Sequence, residues 1–475
     1  MHTPKSAAIG RAFLLHIPGM SQPHTARKHL DWSRAQAFLA QERHTFARLN
    51  PTSARLAAQG EQHLLFGVPL HWMRDWGTPF PLHVAQAQGN RITTVDGHAL
   101  TDFCLGDTGA MFGHSPAPVV SAVQRQVQHG LTTMLPTEDA GVVAAELTNR
   151  FGLPLWQFAL SATDANRFVL RWVRAATGRR KLLVFNGCYH GTVDDVFVDL
   201  VDGNPVQRAS LLGQVHDLLT HTVVVEFNDL NALEHALAQG DVACVLAEPA
   251  MTNVGMVLPD PGFWLQAQAL IRQHGALLVL DETHTISTGP SGYAVAHGLK
   301  PDALVLGKPL GGGVPCAAYG MGPELARRAV AAKHAAAPGH SGIGTTLTGN
   351  MLALAAMRAT LTEVMTPEAY GHMQRQANAL AQGLRGVLGR HRQPWCVTQV
   401  GARVEFQFCA TPPRNGTEAH AAMDDELEHL LHLALLNRGV LITPFHNMLL
   451  VCPDTTDADV ERLLAALDDV LARIA

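Results

Sequence analysis

Asp302-Ala-Leu-Val-Leu-Gly-Lys-Pro-Leu-Gly-Gly-Gly-Val-Pro315 is a short apolar run that ends in one lysine, Lys308, and then breaks into three glycines. A lysine in so apolar a neighbourhood is expected to lose hydration, which favours the free, nucleophilic amine. Upstream, Ala276-Leu-Leu-Val-Leu-Asp-Glu-Thr-His-Thr285 repeats the pattern, with Asp281 closing the apolar run. Both runs have strand length, and both end in a group capable of chemistry.

Further strand-length apolar runs occur at Leu182–Phe185, Val223–Phe227 and Val242–Leu246, beside Leu277–Leu280 and Leu304–Leu306. Helix-periodic segments separate them. Phe168, Trp172 and Ala176 share a face after Ser161, and Leu265 to Ile271 supply another helix. Such alternation predicts an α/β fold with a mostly parallel sheet covered on both faces. Ligands of such sheets sit beyond the carboxyl ends of the strands, where Asp281 and Lys308 are expected.

The flanks read differently. Residues 1–80 look like an arm, with a helix at Ser33–Ala47 and a Pro- and Trp-rich stretch at Gly67–Pro81. Leu82–Ala87, Arg91–Val95 and Leu100–Leu105 read as strands, with a turn at Asp96-Gly97. From about residue 365, helices at 366–390 and 424–437 surround a strand at Val404–Phe408. The chain closes with an amphipathic helix whose stripe is Val460, Leu463, Leu464, Leu467, Val470 and Leu471. The expected division is an arm (1–80), a first piece of a smaller α+β domain (81–115), a large domain (116–365) and the rest of the smaller domain (366–475).

Composition narrows the function. The 475 residues are 47% hydrophobic and 16% charged, with net charge −5. That is an ordinary soluble balance, without the basic block that recruits nucleic acid or an anionic membrane. The seven cysteines are scattered and form no CxxC pair, which argues against disulfides or a zinc site and fits a reducing cytoplasm. The N-terminal apolar patch Ala12–Ile17 is too short for a secretion signal, and no apolar run reaches the roughly 18 residues of a membrane span. The 26 histidines show no ligand cluster, so no metal is expected. Glu428-His429-Leu-Leu-His432 lacks the order of a zinc motif, and the residues around Lys308 lack that of a phosphate-binding P-loop.

An amine able to form an imine, with a carboxylate able to pair with a pyridinium nitrogen, is a protein's share of pyridoxal phosphate (PLP) chemistry. Three weaker signals accompany the pair. Ser161-Ala-Thr-Asp-Ala-Asn166 opens the Phe168/Trp172 helix and suits a phosphate, although an ordinary N-cap reads the same way. Phe185-Asn-Gly-Cys-Tyr-His-Gly191 places Tyr189 after a strand, where an aromatic ring stacks on a pyridine or simply packs. Gly344-Thr-Thr-Leu-Thr-Gly-Asn350 is rich in hydroxyl and amide donors.

In order and spacing these pieces resemble the class III, fold-type-I PLP-dependent aminotransferases, in particular their glutamate-1-semialdehyde aminomutase-like branch. The resemblance runs from about residue 82 to the C-terminus. It is carried also by Gly113-His-Ser-Pro116, Glu248-Pro249, Asn253-Val-Gly255 and Thr346-Leu-Thr-Gly-Asn350. It implies a homodimer in which Lys308 is the Schiff-base lysine and Asp281 pairs with the pyridine nitrogen. It further implies that Ser161, Ala162 and Thr163 hold the phosphate. Tyr189 and Thr283 then cover the two ring faces, His284 lies near the ring hydroxyl, and Glu248 lines the site. Thr346 would reach the phosphate in the neighbouring subunit.

Three positions depart from the family pattern: Ala162 stands where glycine is usual, Thr283 where valine is common, and His284 where glutamine or methionine is frequent. Alanine at 162 is expected to push the phosphate loop slightly outward, and His284 to act as a neutral hydrogen-bonding residue. A substrate carboxylate calls for an arginine fork, for which Arg74, beside Trp72 in the arm, and Arg403 are candidates. The expected activity is amino transfer from an amine or amino acid to a keto acid or aldehyde. An intramolecular aminomutase would use the same residues. A non-catalytic PLP-binding regulator is expected to have lost Lys308 or Asp281, and both are present.

Overall fold

Seven strands form the central sheet of the computed structural model, which describes residues 25–475. They are β1 (Leu155–Ala159), β2 (Lys181–Phe185), β3 (Thr222–Val225), β4 (Val242–Ala247), β5 (Leu277–Asp281), β6 (Ala303–Leu306) and β7 (Ala317–Met321). Their spatial order is β1-β7-β6-β5-β4-β2-β3. β7 runs antiparallel to both of its neighbours, and the remaining pairs are parallel.

The unbroken apolar runs follow from burial on both faces. Leu278, Leu280, Leu304 and Leu306 enter one core, and Val279, Ala303 and Val305 enter the other. The first is covered by helices Glu138–Phe151 and Phe263–Gln273, through residues such as Leu147 and Trp264. The second is covered by helices Ala162–Thr177 and Pro323–Ala335, through Phe168, Val173 and Leu325. β1 and β7 escape a sequence reading because Leu-Trp-Gln-Phe-Ala and Ala-Ala-Tyr-Gly-Met carry too few branched side chains.

Around this sheet the chain closes on itself. Strands Val84–Gln88, Arg91–Thr94 and Ala99–Asp102 form an antiparallel meander, and Val440–Leu441 joins its edge in parallel. Strands Cys396–Val400, Arg403–Gln407 and Met448–Leu450 form a second small sheet. The terminal helix, Asp457–Ile474, opens with a capping box between Thr456 and Asp459, worth about 1 kcal/mol. The arm helix occupies Trp32–Leu49 and is capped by Asp31. The apolar patch Ala12–Ile17 lies outside the described residues.

One boundary is corrected with consequence. The strand expected at Leu100–Leu105 stops at Asp102, whose Oδ1 accepts from the N–H groups of Cys104 and Leu105 at 2.8 and 2.9 Å. The chain turns there, and Leu105, Asp107 and Thr108 take left-handed φ of 46°, 47° and 82°. That turn carries Asp107 to Lys308.

Candidate active site

At the carboxyl ends of β1, β2, β4, β5 and β6 lies a cavity of about 410 Å³. Its walls include Ser161, Ala162, Thr163, Tyr189, Glu248, Asp281, Thr283, His284 and Lys308, nine of the residues singled out from the sequence. The sheet brings them together because each follows the end of a strand. A more open hollow of about 540 Å³, bordered by Arg174, Arg179, Asp195 and His221, shares none of these residues.

Asp281 is buried and surrounded by donors. Its Oδ1 accepts from the Thr283 N–H at 3.0 Å and the Thr283 hydroxyl at 2.6 Å. Its Oδ2 accepts from Asn166 Nδ2 at 2.8 Å and lies 3.0 Å from His190 Nδ1. Burial opposes its charge, but His190 above all, then Thr283 and Asn166, hold the carboxyl down at about 2. Burial likewise opposes charge on His190, and its hydrogen bond to Asp281 raises the imidazole to about 10. Thr283 therefore uses its hydroxyl to orient the carboxylate, which valine cannot do.

This pair makes stability depend on pH. The raised His190 contributes fully below the free-histidine value and loses that contribution as pH rises toward about 10. The depressed Asp281 contributes above the free-carboxyl value and loses that contribution as pH falls toward about 2. We predict that the melting temperature falls between about pH 6.5 and 10, and that His190→Gln flattens this limb. Calorimetry at stepped pH checks it; an unchanged slope in the variant contradicts it.

The helix start at Ser161 has the form of an anion cradle. The Ser161 hydroxyl accepts from the Asp164 N–H at 3.2 Å, and the remaining first-turn N–H groups have no acceptor within the helix. Close approaches shape the cradle: a Cβ on Gly307 would lie 2.7 Å from the Ala162 methyl. The alanine is thus seated against a glycine backbone. Thr163 Oγ1 accepts from the Thr192 N–H at 3.1 Å, and any side chain at Gly191 would collide with Thr163. Glu248 accepts from Thr252 and Asn253, and burial raises its carboxyl.

Lys308 departs from its predicted surroundings. Its Nζ lies 2.7 Å from Asp107 Oδ2 and 2.8 Å from His284 Nε2. The amine therefore meets a carboxylate instead of an apolar wall. Burial works against the Asp107 charge, yet the groups packed around it, Lys308 first, then His284 and Arg403, hold its carboxyl well below the usual range. Both partners adopt left-handed backbone, Lys308 at φ 30° and Asp107 at 47°. Strain of this kind persists where surrounding structure enforces it, characteristically at functional sites. Asp107 was missed in the sequence; its only signal was an Asp between glycines in Gly106-Asp-Thr-Gly109.

The substrate arginines part company. Arg403 is fully buried, does not border the cavity, and directs Nη2 to Thr108 and to His284 Nδ1, the latter at 2.7 Å. Arg74 stays in the arm, donating to the Phe66 carbonyl at 3.0 Å and lying 3.6 Å from Glu61. Trp72 packs edge-on against Phe445, with ring centroids 6.0 Å apart. Neither Arg74 nor Trp72 lines the cavity, because this stretch folds back along the arm. Thr346 is exposed and also stands away from it.

Fold and site together define a PLP-dependent enzyme of fold type I. Residues 72–471 match the family model Aminotransferase class-III, and the chain belongs to that family. Glutamate-1-semialdehyde 2,1-aminomutase 2 of Bacillus cereus (strain B4264) is 31% identical over 411 residues, which cover 83% of this chain and 91% of that protein. The crystal structure of a glutamate-1-semialdehyde-aminomutase from Pseudomonas aeruginosa PAO1 is 51% identical, with a TM-score of 0.92 over 94% of this chain and 99% of that one. A lysine-to-alanine variant of such an enzyme from that organism was solved in complex with PMP. A β-phenylalanine aminotransferase from Variovorax paradoxus is 28% identical, with a TM-score of 0.81 over 92% of this chain and 97% of that one.

Proposed function

We propose that this chain moves an amino group from an amine or amino-acid donor to a keto-acid or aldehyde acceptor, with PLP carried on Lys308. The observation that carries the reading is the convergence of Lys308, Asp281 and the Ser161–Thr163 helix start on one cavity. The residues suit the cofactor: a buried carboxylate held ionised for a pyridine nitrogen, an anion cradle for a phosphate, and a primary amine on the same cavity. Bound PLP supplies an electron sink for the substrate's Cα carbanion.

Each side chain then has a defined task. Lys308 would hold the cofactor, and its amine would move the Cα proton as general base and acid. Asp281, oriented by Thr283 and Asn166, keeps negative charge beside the ring nitrogen. Tyr189 and Thr283 would hold the two faces of the ring, and Glu248 lines the same cavity. Thr346 completes the phosphate site of a second copy, which makes the working unit a homodimer in the cytoplasm. The smaller domain joins residues 81–115 to 366–475, supported by the parallel pairing of Ala99–Asp102 with Val440–Leu441.

An intramolecular aminomutase is the second reading, and the names of the Bacillus and Pseudomonas relatives favour it. Incubation with single amine donors separates the two. Intermolecular transfer predicts stoichiometric pyridoxamine phosphate with donor alone and its recycling by a separate keto acid. Isomerisation of one molecule without any exchange of nitrogen with added keto acid supports the aminomutase instead.

A further inference from the structure

His284 is held from both sides. On one side its Nδ1 lies 2.7 Å from Arg403 Nη2 and 3.1 Å from the Thr108 hydroxyl. A guanidinium has donors only, so Nδ1 accepts. The Thr108 oxygen accepts from the same guanidinium nitrogen, which leaves the threonine proton free to reach Nδ1 as well. On the other side Nε2 lies 2.8 Å from Lys308 Nζ. A neutral imidazole whose Nδ1 accepts carries its proton on Nε2.

We propose that Arg403 and Thr108 lock His284 as the Nε2–H tautomer, and that this N–H donates to the lone pair of Lys308. Arg403 is then a positioning residue, acting through His284, and not the fork for a substrate carboxylate. A charged lysine would set donor against donor at Nε2. The free amine satisfies every contact: it accepts from His284 and donates to Asp107 at 2.7 Å. The fixed charges also balance, since the Arg403 guanidinium faces Asp107 at 3.8 Å. The groups facing His284 are Lys308, Arg403, Asp107 and Asp281, contributed by four separate segments. Burial, with the Arg403 guanidinium beside it, drives the imidazole well below its ordinary range, in keeping with a neutral ring.

The consequence for Lys308 rests on its role as the PLP-bearing lysine; the tautomer itself is a property of the folded chain. Long-range proton–nitrogen spectra of the full-length protein labelled with ¹⁵N-histidine, with and without PLP, test it directly. The His284 signals are those missing from His284→Gln. We expect protonated Nε2 and bare Nδ1 throughout about pH 6 to 9, across the ordinary histidine range. A proton on Nδ1, or titration to imidazolium, overturns the proposal from the unmutated protein alone. In Arg403→Met and Thr108→Val the tautomers should mix. PLP uptake by Lys308 at neutral pH should slow about tenfold, the worth of one hydrogen bond. The loss should be equal for carboxylated and uncarboxylated amines. A loss confined to carboxylated amines makes Arg403 a substrate ligand and sinks the positioning role. Failure of PLP to attach to Lys308 in the unmutated protein would instead refute the enzymatic reading and leave the tautomer standing.

Discussion

Lys308→Ala is expected to lower turnover by at least about 10,000-fold, because one substitution removes both the nucleophile and the general base. The fold should survive. The lysine side chain is 30% exposed and lies beside a cavity, so its truncation leaves no void in the core. Asp107 keeps Arg403 nearby, so its carboxylate is not stranded without a cation. Two measurements check the prediction. Steady-state assays should show activity at background, with partial rescue by a small primary amine. Borohydride treatment in the presence of PLP should label residue 308 in the unmutated protein and nothing in the variant. Turnover in the variant without added amine would mean that another group does the chemistry.

Asp281→Asn should have the next largest effect, a loss of about 100- to 1,000-fold in turnover together with weaker retention of PLP. Asparagine keeps the shape but removes the charge that faces the ring nitrogen. It also removes the bond that raises His190 to about 10, so burial then favours the neutral imidazole and the ion pair is lost. Breaking a buried pair by removing one partner typically costs about 3–5 kcal/mol. The melting temperature should therefore fall near neutral pH, with a smaller deficit near pH 10, where His190 gives up its proton. Asp281→Asn/His190→Gln, which removes both charges, should recover stability but not activity. Equal losses of stability at both pH values would mean that the pair is not ionic.

Much of this site was legible before folding was considered. Apolar runs that end in Asp281 and Lys308 announce buried strands that deliver side chains to one sheet edge. Ser161 before a helical face announces an N-cap, and the helix begins there. These signals are local: period, run length and capping chemistry belong to a few consecutive residues. β1 and β7 were not legible, because neither is a branched apolar run, and it is their pairing with each other and not their composition that makes them strands.

Run length and period along the chain were enough to give the α/β alternation, the strand ends, and the lysine and carboxylate placed on them. What surrounds those two groups follows from packing between distant segments. Asp107 and Lys308 come from distant segments and meet because Asp102 turns the chain by bonding two backbone N–H groups. Arg403 reaches His284 from another sheet entirely, and Arg74 is kept away by the folding of the arm. Spacing along the chain carries periodicity and capping, but contacts between distant segments are set by packing, and a charge acts across space on whatever packing places beside it.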